Sequence, residues 1–150
     1  MSTEVKLAAG TIVSFSLNLA APAYTVIPKI INIGAIGLMS EAKETTTLSD
    51  TNKTYGAGLQ DAPDKSIKGQ YIGSDDDQKA FRDAAKLNQS MIIKIEFPDK
   101  PNDAGTGTTG TFIIKTLGFE MDEPTGEEWL MFTVNAKQNT AVTWSEPVTG

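Results

Sequence analysis

The 150-residue chain contains no cysteine and no histidine. Without cysteine, a disulfide framework, a zinc knuckle and a thiol nucleophile are all excluded. Imidazole is the most common general base near neutral pH and the most common metal ligand, so the lack of histidine also excludes Ser-His-Asp, Cys-His and histidine–metal chemistry. The two absences favour a structural or binding role over catalysis, with no cofactor and no metal.

Positive charge and long apolar segments are also scarce. The chain has 13 basic against 19 acidic residues and a formal net charge of −6, whereas a protein that grips nucleic acid needs clustered lysine and arginine. No apolar run has the length that spans a membrane. Residues 1–23 do not resemble a secretory signal, because Lys6 is balanced by Glu4 and polar residues interrupt the apolar part. We therefore predict a single folded domain over residues 1–150.

The hydrophobic pattern predicts a mainly β chain with one helix. Apolar and polar residues alternate over residues 11–19 and again over 91–97, which is the period of a strand with one buried face. Pro28 lies inside a third apolar segment and indicates an edge strand or a bulge there. About six strands are predicted in all, at residues 11–19, 24–33, 91–97, 111–121, 127–136 and around Val142 and Trp144, with either a short strand or an extended lead-in at 68–72.

The helix is predicted over residues 75–88. Ser74 is the expected N-cap, Asp75–Asp77 carry negative charge where the helix dipole favours it, and Asp77 takes the place of the glutamate in a capping box. Apolar residues recur at helical spacing on the opposite side from the charged ones. The face expected to pack on the sheet consists of Ala80, Phe81, Ala84, Ala85 and Leu87.

Two polar segments are predicted as loops. Residues 40–68 show neither the strand nor the helix period, and a polar excursion of this length is usually functional or is ordered only by a partner. Residues 98–110 are rich in glycine and are predicted as a flexible connection between two strands. Their glycines do not form a phosphate-binding loop, because no Lys-Ser or Lys-Thr follows and the next segment is a strand.

Two sets of oxygen ligands could form sites. Asp75–Asp77 could hold a metal or act as a general acid, although the helix dipole explains them equally well. Asp50, Asn52, Thr54 and Asp61 have the spacing of a calcium loop. Tyr55 occupies the position that requires glycine in that loop and no helices flank it, so we treat this match as chance.

Residues near the end of the chain offer two further candidates. Asp122–Glu123 and Glu127–Glu128 could supply the carboxylate pair of a glycoside hydrolase, but adjacent strand residues point to opposite faces and hairpin tips are commonly acidic. Trp129 and Trp144 are either surface anchors for a partner or core residues, and large aromatics on strands are more often core.

The centre of the chain carries a family likeness. Residues 58–64 read Gly-Leu-Gln-Asp-Ala-Pro-Asp, residues 69–71 read Gly-Gln-Tyr, and residues 75–84 read Asp-Asp-Asp-Gln-Lys-Ala-Phe-Arg-Asp-Ala. In this order they resemble the major tail tube family of long-tailed, lambda-like bacteriophages. The strand at 91–98, the turn rich in glycine and threonine and the strand at 110–119 follow in the family's order. The resemblance therefore covers roughly residues 34–121.

The resemblance implies a β-sandwich or barrel of the phage tail tube type with one flanking helix, and a structural protein rather than an enzyme. It implies six copies per ring and rings stacked into a hollow tube that conducts DNA from the capsid to the host without binding it specifically. The implied partners are other copies of the chain and the tape measure, tail tip and tail terminator proteins. The implied location is the virion tail, assembled in the host cytoplasm without contact with a membrane. No immunoglobulin-like domain is expected after residue 150.

Assembly is expected through strand edges that continue a sheet into a neighbouring subunit and through ordering of the loop at residues 41–59 between rings. Subunit and ring contacts are predicted at Glu41, Thr46, Leu48, Asp50, Lys53, Tyr55 and Leu59.

Three alternatives remain open. The chain could be a tail terminator or head–tail connector, which forms one ring and stops. It could be a type VI secretion-like tube protein, which shares the fold. It could also be a small carboxylate hydrolase, which would require residues such as Asp76 and Glu128 in one pocket.

Overall fold

A computed structural model describes residues 10–34, 36–37, 39–44, 47, 52–53, 55–61, 64–127 and 129–149. The elements are the strands β1 (Ile12–Ser16), β2 (Thr25–Val26), β3 (Ile30–Asn32), β4 (Met39–Glu44), β5 (Tyr55–Asp61) and β6 (Lys65–Gln70), the helix α1 (Asp76–Lys86), and the strands β7 (Ser90–Glu96), β8 (Thr109–Met121), β9 (Met131–Gln138) and β10 (Thr143–Ser145). In this part of the chain, no helix is long and apolar enough to cross a membrane.

Eight strands form one antiparallel sheet in the order β2-β1-β7-β8-β9-β6-β3, with β10 paired to the start of β8. Strand β8 has 13 residues; its first half pairs with β7 and its second half with β9. A bulge lies between Thr116 and Gly118, where Gly118 has a φ of +136° that L side chains rarely adopt. Such a bulge bends a strand and increases its twist, so the sheet changes direction along β8.

The two halves of the sheet face each other across one core. Lys65 on β6 and Phe112 on β8 lie on strands that are not neighbours in the sheet, yet the Lys65 ammonium lies 5.2 Å from the centroid of the Phe112 ring. Lys65 is almost fully buried, and this burial lowers the pKa of its ammonium group. The architecture is therefore mainly β with one helix and resembles a β-sandwich, as the sequence predicted.

Helix α1 closes the core through Phe81, which is fully buried. The Phe81 ring lies 5.5 Å from the ring of Phe15 on β1, in an edge-on contact, and 6.5 Å from the ring of Phe132 on β9. Phe81 thus joins the helix to both halves of the sheet. The alternation over residues 91–97 predicts four inward residues. Met91, Ile93 and Ile95 are fully buried on β7, and Phe97, just beyond the end of the strand, packs partly buried against the core.

The prediction of the helix ends and faces was partly wrong. Asp75, not Ser74, is the N-cap, because its side chain accepts a hydrogen bond from the Gln78 amide. Ala80 and Leu87 are exposed rather than packed. Gln78 and Arg82 are buried in their place, since each finds backbone or aromatic partners inside the fold.

Several strand predictions also need correction. The segment 24–33 is two short strands, because Pro28 and Lys29 form a turn between them. Residues 40–68 are not one loop, since they contain β4, β5 and much of β6. The strand predicted at 127–136 begins only at Met131. Ten strands are therefore present among the described residues, against the six or so expected, and most of the additional ones are short or polar on both faces.

The connection between β7 and β8 is held at defined points, although the sequence predicted a flexible one. Both the amide and the hydroxyl of Thr108 donate hydrogen bonds to the Asp99 carboxylate, over 2.7 and 2.6 Å. Thr106 and Val148 exchange two backbone hydrogen bonds of 2.8 and 2.9 Å. These bonds bring residues near the end of the chain against the connection.

The Asp99 cluster makes stability depend on pH. The hydrogen bonds from the Thr108 side chain and backbone lower the pKa of Asp99 below its ordinary value of 3.8. A lowered folded-state pKa adds stability above the unfolded value, and this stability is lost as the pH falls through the folded value. We expect Asp99→Asn to have a lower free energy of unfolding than the unmodified chain at pH 6. We expect this difference in free energy of unfolding to become smaller below pH 3.8. Urea unfolding of both proteins at pH 6 and at pH 3 measures this difference. An equal difference at the two pH values would contradict the prediction.

Candidate assembly surfaces

Three of the seven predicted contact residues lie on a hairpin formed by β4 and β5. Within the described residues, these two strands pair only with each other and form a separate two-stranded sheet. Glu41 lies on β4 and Leu59 on β5, while Lys53 is exposed in the segment between the strands and Tyr55 opens β5. The remaining predicted contacts lie outside the described residues: Thr46, Leu48 and Asp50.

The strands of the hairpin place a carboxylate beside an aromatic ring. Glu44 and Tyr55 are register partners at the end of the paired segment. Both are exposed, and Tyr55 has 61% of its surface accessible. Directly opposed residues on antiparallel strands have Cβ atoms about 5 Å apart on the same face. The hairpin therefore presents the Glu44 carboxylate and the Tyr55 phenol side by side, and we call them the Glu44/Tyr55 pair.

Strands β2 and β3 form the two ends of the main sheet. On its outer side, each of them has no strand partner among the residues that the structure describes. Their apolar side chains Val26 and Ile31 are 53% and 59% exposed. Unpaired strand edges with exposed apolar residues are places where another chain can continue the sheet.

The outward face of the main sheet carries lysines. Lys115 on β8 and Lys137 on β9 are register partners, and like charges directly opposite each other are destabilising. Lys137 is partly neutralised by Asp64, with 3.2 Å between Nζ and Oδ1, and Lys68 by Asp122, with 3.7 Å between Nζ and Oδ2. This face is therefore of mixed charge rather than acidic.

A depression of about 430 Å³ opens beside the start of β9. We call it the Trp129 pocket; it is lined by Lys29, Gln70, Tyr71, Ile72, Trp129 and Leu130. Trp129 is 81% exposed and Leu130 52% exposed, so the apolar wall faces solvent. Sequence analysis left Trp129 open as either a surface anchor or a core residue, and the structure places it on the surface.

Gln78 holds the walls of the Trp129 pocket together from within. Its side-chain oxygen accepts a hydrogen bond from the Ile72 amide over 2.8 Å. Its side-chain nitrogen donates to the carbonyls of Gln70 over 2.8 Å and Pro28 over 3.3 Å. One buried side chain therefore links α1, the end of β6 and the turn between β2 and β3.

The turn between β2 and β3 approaches β6 closely because residue 69 is glycine. A Cβ at Gly69 would lie 2.9 Å from the Lys29 carbonyl oxygen and 3.1 Å from a ring carbon of Phe132. The Gln70 amide also donates a 2.9 Å hydrogen bond to that same carbonyl. A larger residue at this position would move Lys29 away from the pocket.

Arg82 supports the Tyr71 wall of the pocket. Its guanidinium carbon lies 4.3 Å from the centroid of the Tyr71 ring, and one terminal nitrogen donates to the Ile72 carbonyl over 3.3 Å. Arg82 is only 3% exposed. Its Nε has no hydrogen-bond partner within the described part of the chain. A buried cation thus stands directly behind the ring.

The acidic candidates whose side chains the structure describes cap the helix or are at least partly exposed. Asp75 is used as the helix cap, and Asp76 and Asp77 lie exposed in the first turn. Asp122 accepts a hydrogen bond from the Thr133 hydroxyl over 2.6 Å. Among the described residues, no group of three or more acidic side chains could hold a metal ion. Three of the candidate residues lie outside that set, namely Asp50, Thr54 and Glu128.

Sequence analysis missed Lys29, Gln78 and Arg82. Gln78 and Arg82 are four residues apart and lie on the same side of the helix as the apolar residues Phe81 and Ala85. The helical spacing therefore indicates that all four residues face the core. The sequence pattern places Arg82 on the charged, solvent side of the helix and assigns Gln78 to neither face. The position of Lys29 in the pocket could not be predicted from the sequence pattern. It depends on the pairing of β3 with β6, two segments about 40 residues apart in sequence.

Comparison with known proteins places the chain in a family. The profile of the phage tail tube protein family matches residues 6–146. No curated protein sequence matches the chain at a significant level.

Solved structures share its fold at low sequence identity. A chain of the anti-feeding prophage baseplate superposes with a TM-score of 0.73 at 13% identity, covering 97% of this chain and 98% of that one. A chain of the tail of an empty gene transfer agent particle gives 0.68 at 12% identity, covering 94% and 99%. The SPP1 tail tube protein gives 0.67 at 13% identity, covering 93% of this chain and 78% of that one. The chain therefore belongs to the phage tail tube protein family and is a structural protein of the virion tail that forms its tube.

Proposed function

We propose that six copies of this chain close into a ring and that the rings stack into the hollow tube through which the phage DNA leaves the capsid. The match of the tail tube family over residues 6–146 carries this proposal. The baseplate structure similar to this chain is described as 6-fold symmetrised, and the gene transfer agent tail as having C6 symmetry. We propose the same symmetry here, and a purely structural role without catalytic activity.

The surfaces of the chain support assembly by two kinds of contact. The open edges of β2 and β3 offer backbone donors and acceptors for a strand of the next subunit in a ring. The β4–β5 hairpin is separate from the main sheet in the described residues, so it is available for contact with a copy in the next ring. The predicted contacts at Glu41, Lys53, Tyr55 and Leu59 belong to this hairpin region, and we propose the other predicted contacts, at residues 46, 48 and 50, as part of the same interface.

The charge of the chain suits a conduit for DNA. A ring of six copies would carry a formal charge of 6 × −6 = −36, and repulsion between like charges keeps DNA from adhering to the wall. We propose that the DNA passes without specific binding. We further propose that the tape measure, tail tip and tail terminator proteins contact the tube, and that it assembles in the host cytoplasm.

Electron microscopy of the purified protein tests the proposal directly. The protein would be concentrated alone and with fragments of sheared tails as seeds, and viewed in negative stain. We expect uniform hollow tubes with a regular ring repeat and six-fold symmetry in end views. Single closed rings that never elongate would instead indicate a tail terminator or connector, and rings of another symmetry would contradict the six-fold arrangement.

The hairpin can be tested separately from the fold. We expect replacement of residues 41–59 by a short Gly-Ser link to leave a folded monomer that no longer forms tubes. The main sheet should survive, because no described residue of β4 or β5 pairs with it. Circular dichroism and urea unfolding would check the fold, and electron microscopy would check assembly. Normal tubes from this variant would rule out the hairpin as an essential contact.

A further inference from the structure

Lys29 occupies a costly backbone position in the Trp129 pocket. Its φ is +61°, in the left-handed region where a residue with a Cβ is less stable than glycine. Its side chain is exposed and takes no part in the ion pairs found between described side chains. Such strain is commonly found at sites where the side chain has a function.

Trp129 is a second exposed side chain of the same pocket, beside Lys29. At 81% accessible it is the most exposed of the large apolar residues that the structure describes, and Leu130 extends the apolar surface. Tryptophan is enriched among the residues that dominate protein–protein binding energies. The pocket therefore combines an aromatic and aliphatic wall with an exposed cation, and the buried guanidinium of Arg82 lies behind it.

The Glu44/Tyr55 pair has complementary chemistry. Its ring matches the apolar wall, and its carboxylate matches the Lys29 ammonium. Tyr55 is 61% exposed in the isolated chain and the Trp129 pocket is open to solvent, so the pair does not fill the pocket of its own chain. A volume of about 430 Å³ is sufficient for one aromatic side chain with its neighbour.

We propose that the Glu44/Tyr55 pair of one copy docks in the Trp129 pocket of a second copy. The Tyr55 ring packs against Trp129 and Leu130, and the Glu44 carboxylate pairs with the Lys29 ammonium. The inference rests on the proposed function, in which copies of the chain assemble through the hairpin. It adds the surface of the neighbouring copy to which the hairpin binds, the Trp129 pocket. It also adds the Lys29 charge, which fixes how the two copies align.

Charge reversal tests the pairing. We expect Lys29→Glu and Glu44→Lys each to raise the protein concentration needed for tube assembly about tenfold or more, because a close interfacial charge pair becomes a repulsion. The double variant, which restores opposite charges, should return most of the loss. Lys79→Glu, an equal charge change at an exposed position of α1, is the control and should assemble like the unmodified protein. Urea unfolding of each monomer confirms that all four variants fold.

The fluorescence of Trp129 reports the docking independently. The chain has two tryptophans, so a Trp144→Phe variant contains Trp129 alone and retains an aromatic ring in the stack on Phe97. We expect its emission to shift to shorter wavelength and its quenching by acrylamide to fall several-fold on going from dilute monomer to tubes. Tyr55→Ala should remove both changes, whereas Leu117→Ala, which truncates another exposed side chain, should preserve them.

The outcomes separate this inference from the proposed function. Tubes in which Trp129 remains as accessible as in the monomer, or in which both single charge reversals assemble normally, would overturn the docking and leave the tube intact; the pocket would then be free for another protein of the particle. Failure of the unmodified protein to form tubes with seeds would overturn the proposed function itself. Rescue in the double variant together with burial of Trp129 would establish the docking.

Discussion

Replacement of Phe81 by alanine is expected to lower the free energy of unfolding by about 4 kcal/mol, because removal of a buried phenylalanine side chain typically costs about 3–5 kcal/mol. Phe81 is fully buried and contacts the rings of both Phe15 and Phe132. The loss therefore falls on the contact that joins α1 to the two halves of the sheet. It would be a large share of the roughly 5–15 kcal/mol that stabilises a typical domain.

Leu87→Ala is the matched control for this prediction. Leu87 lies at the C-cap of the same helix and is 71% exposed, so its truncation should change the free energy of unfolding by no more than about 0.5 kcal/mol. Urea unfolding monitored by circular dichroism measures both variants. If the two changed stability equally, Phe81 would not be the link between helix and sheet.

The elements that the sequence predicted well are those with one buried and one exposed face. On β7 the inward residues Met91, Ile93 and Ile95 are all fully buried while the residues between them are partly exposed. Burial on one side imposes a period of two on the sequence. The first half of β8 carries the same signal for the same reason. Strand β1 differs, because Ser14 and Ser16 are buried together with Val13 and Phe15. The strand predicted at residues 11–19 also ends at Ser16, and Leu17 and Leu19 beyond it are exposed.

The β4–β5 hairpin could not be recognised in this way. Its described side chains, which include Ala42, Lys43, Glu44 and Tyr55, are exposed, so no buried face imposes an alternation on them. A polar segment without a period is predicted as a loop. The hairpin follows from the pairing of β4 with β5, and this pairing is a property of the folded backbone rather than of the hydrophobic pattern.

The Trp129 pocket was even harder to predict from the sequence than the hairpin. Lys29, Tyr71 and Trp129 come from three separate segments, and their proximity follows from the pairing of β3 with β6 and of β6 with β9. Gln78 and Arg82 are polar residues at buried helix positions, which a hydrophobic pattern assigns to the solvent. The family resemblance directed attention to residues 41–59, and only the fold showed a surface that complements them.

Gln78→Leu is expected to lower the free energy of unfolding by about 3 kcal/mol, because leucine fills a similar space but leaves several backbone groups unmatched at about 1–3 kcal/mol each. The Ile72 amide would lose an acceptor at 2.8 Å and the Gln70 carbonyl a donor at 2.8 Å. The Pro28 carbonyl would also lose its longer contact. Urea unfolding measures the loss, and hydrogen exchange at the Ile72 amide should become faster.

The neighbouring substitution Lys79→Leu is the control, because Lys79 is exposed on the same turn of α1 and its replacement should cost no more than about 0.5 kcal/mol. Gln78 also fixes the walls of the Trp129 pocket, so Gln78→Leu should impair tube assembly even at temperatures where the monomer remains folded. A variant that loses stability but assembles at the usual concentration would show that the hydrogen bonds of Gln78 support only the fold. A loss of assembly larger than the folded fraction explains would show that they also shape the surface that a second copy binds.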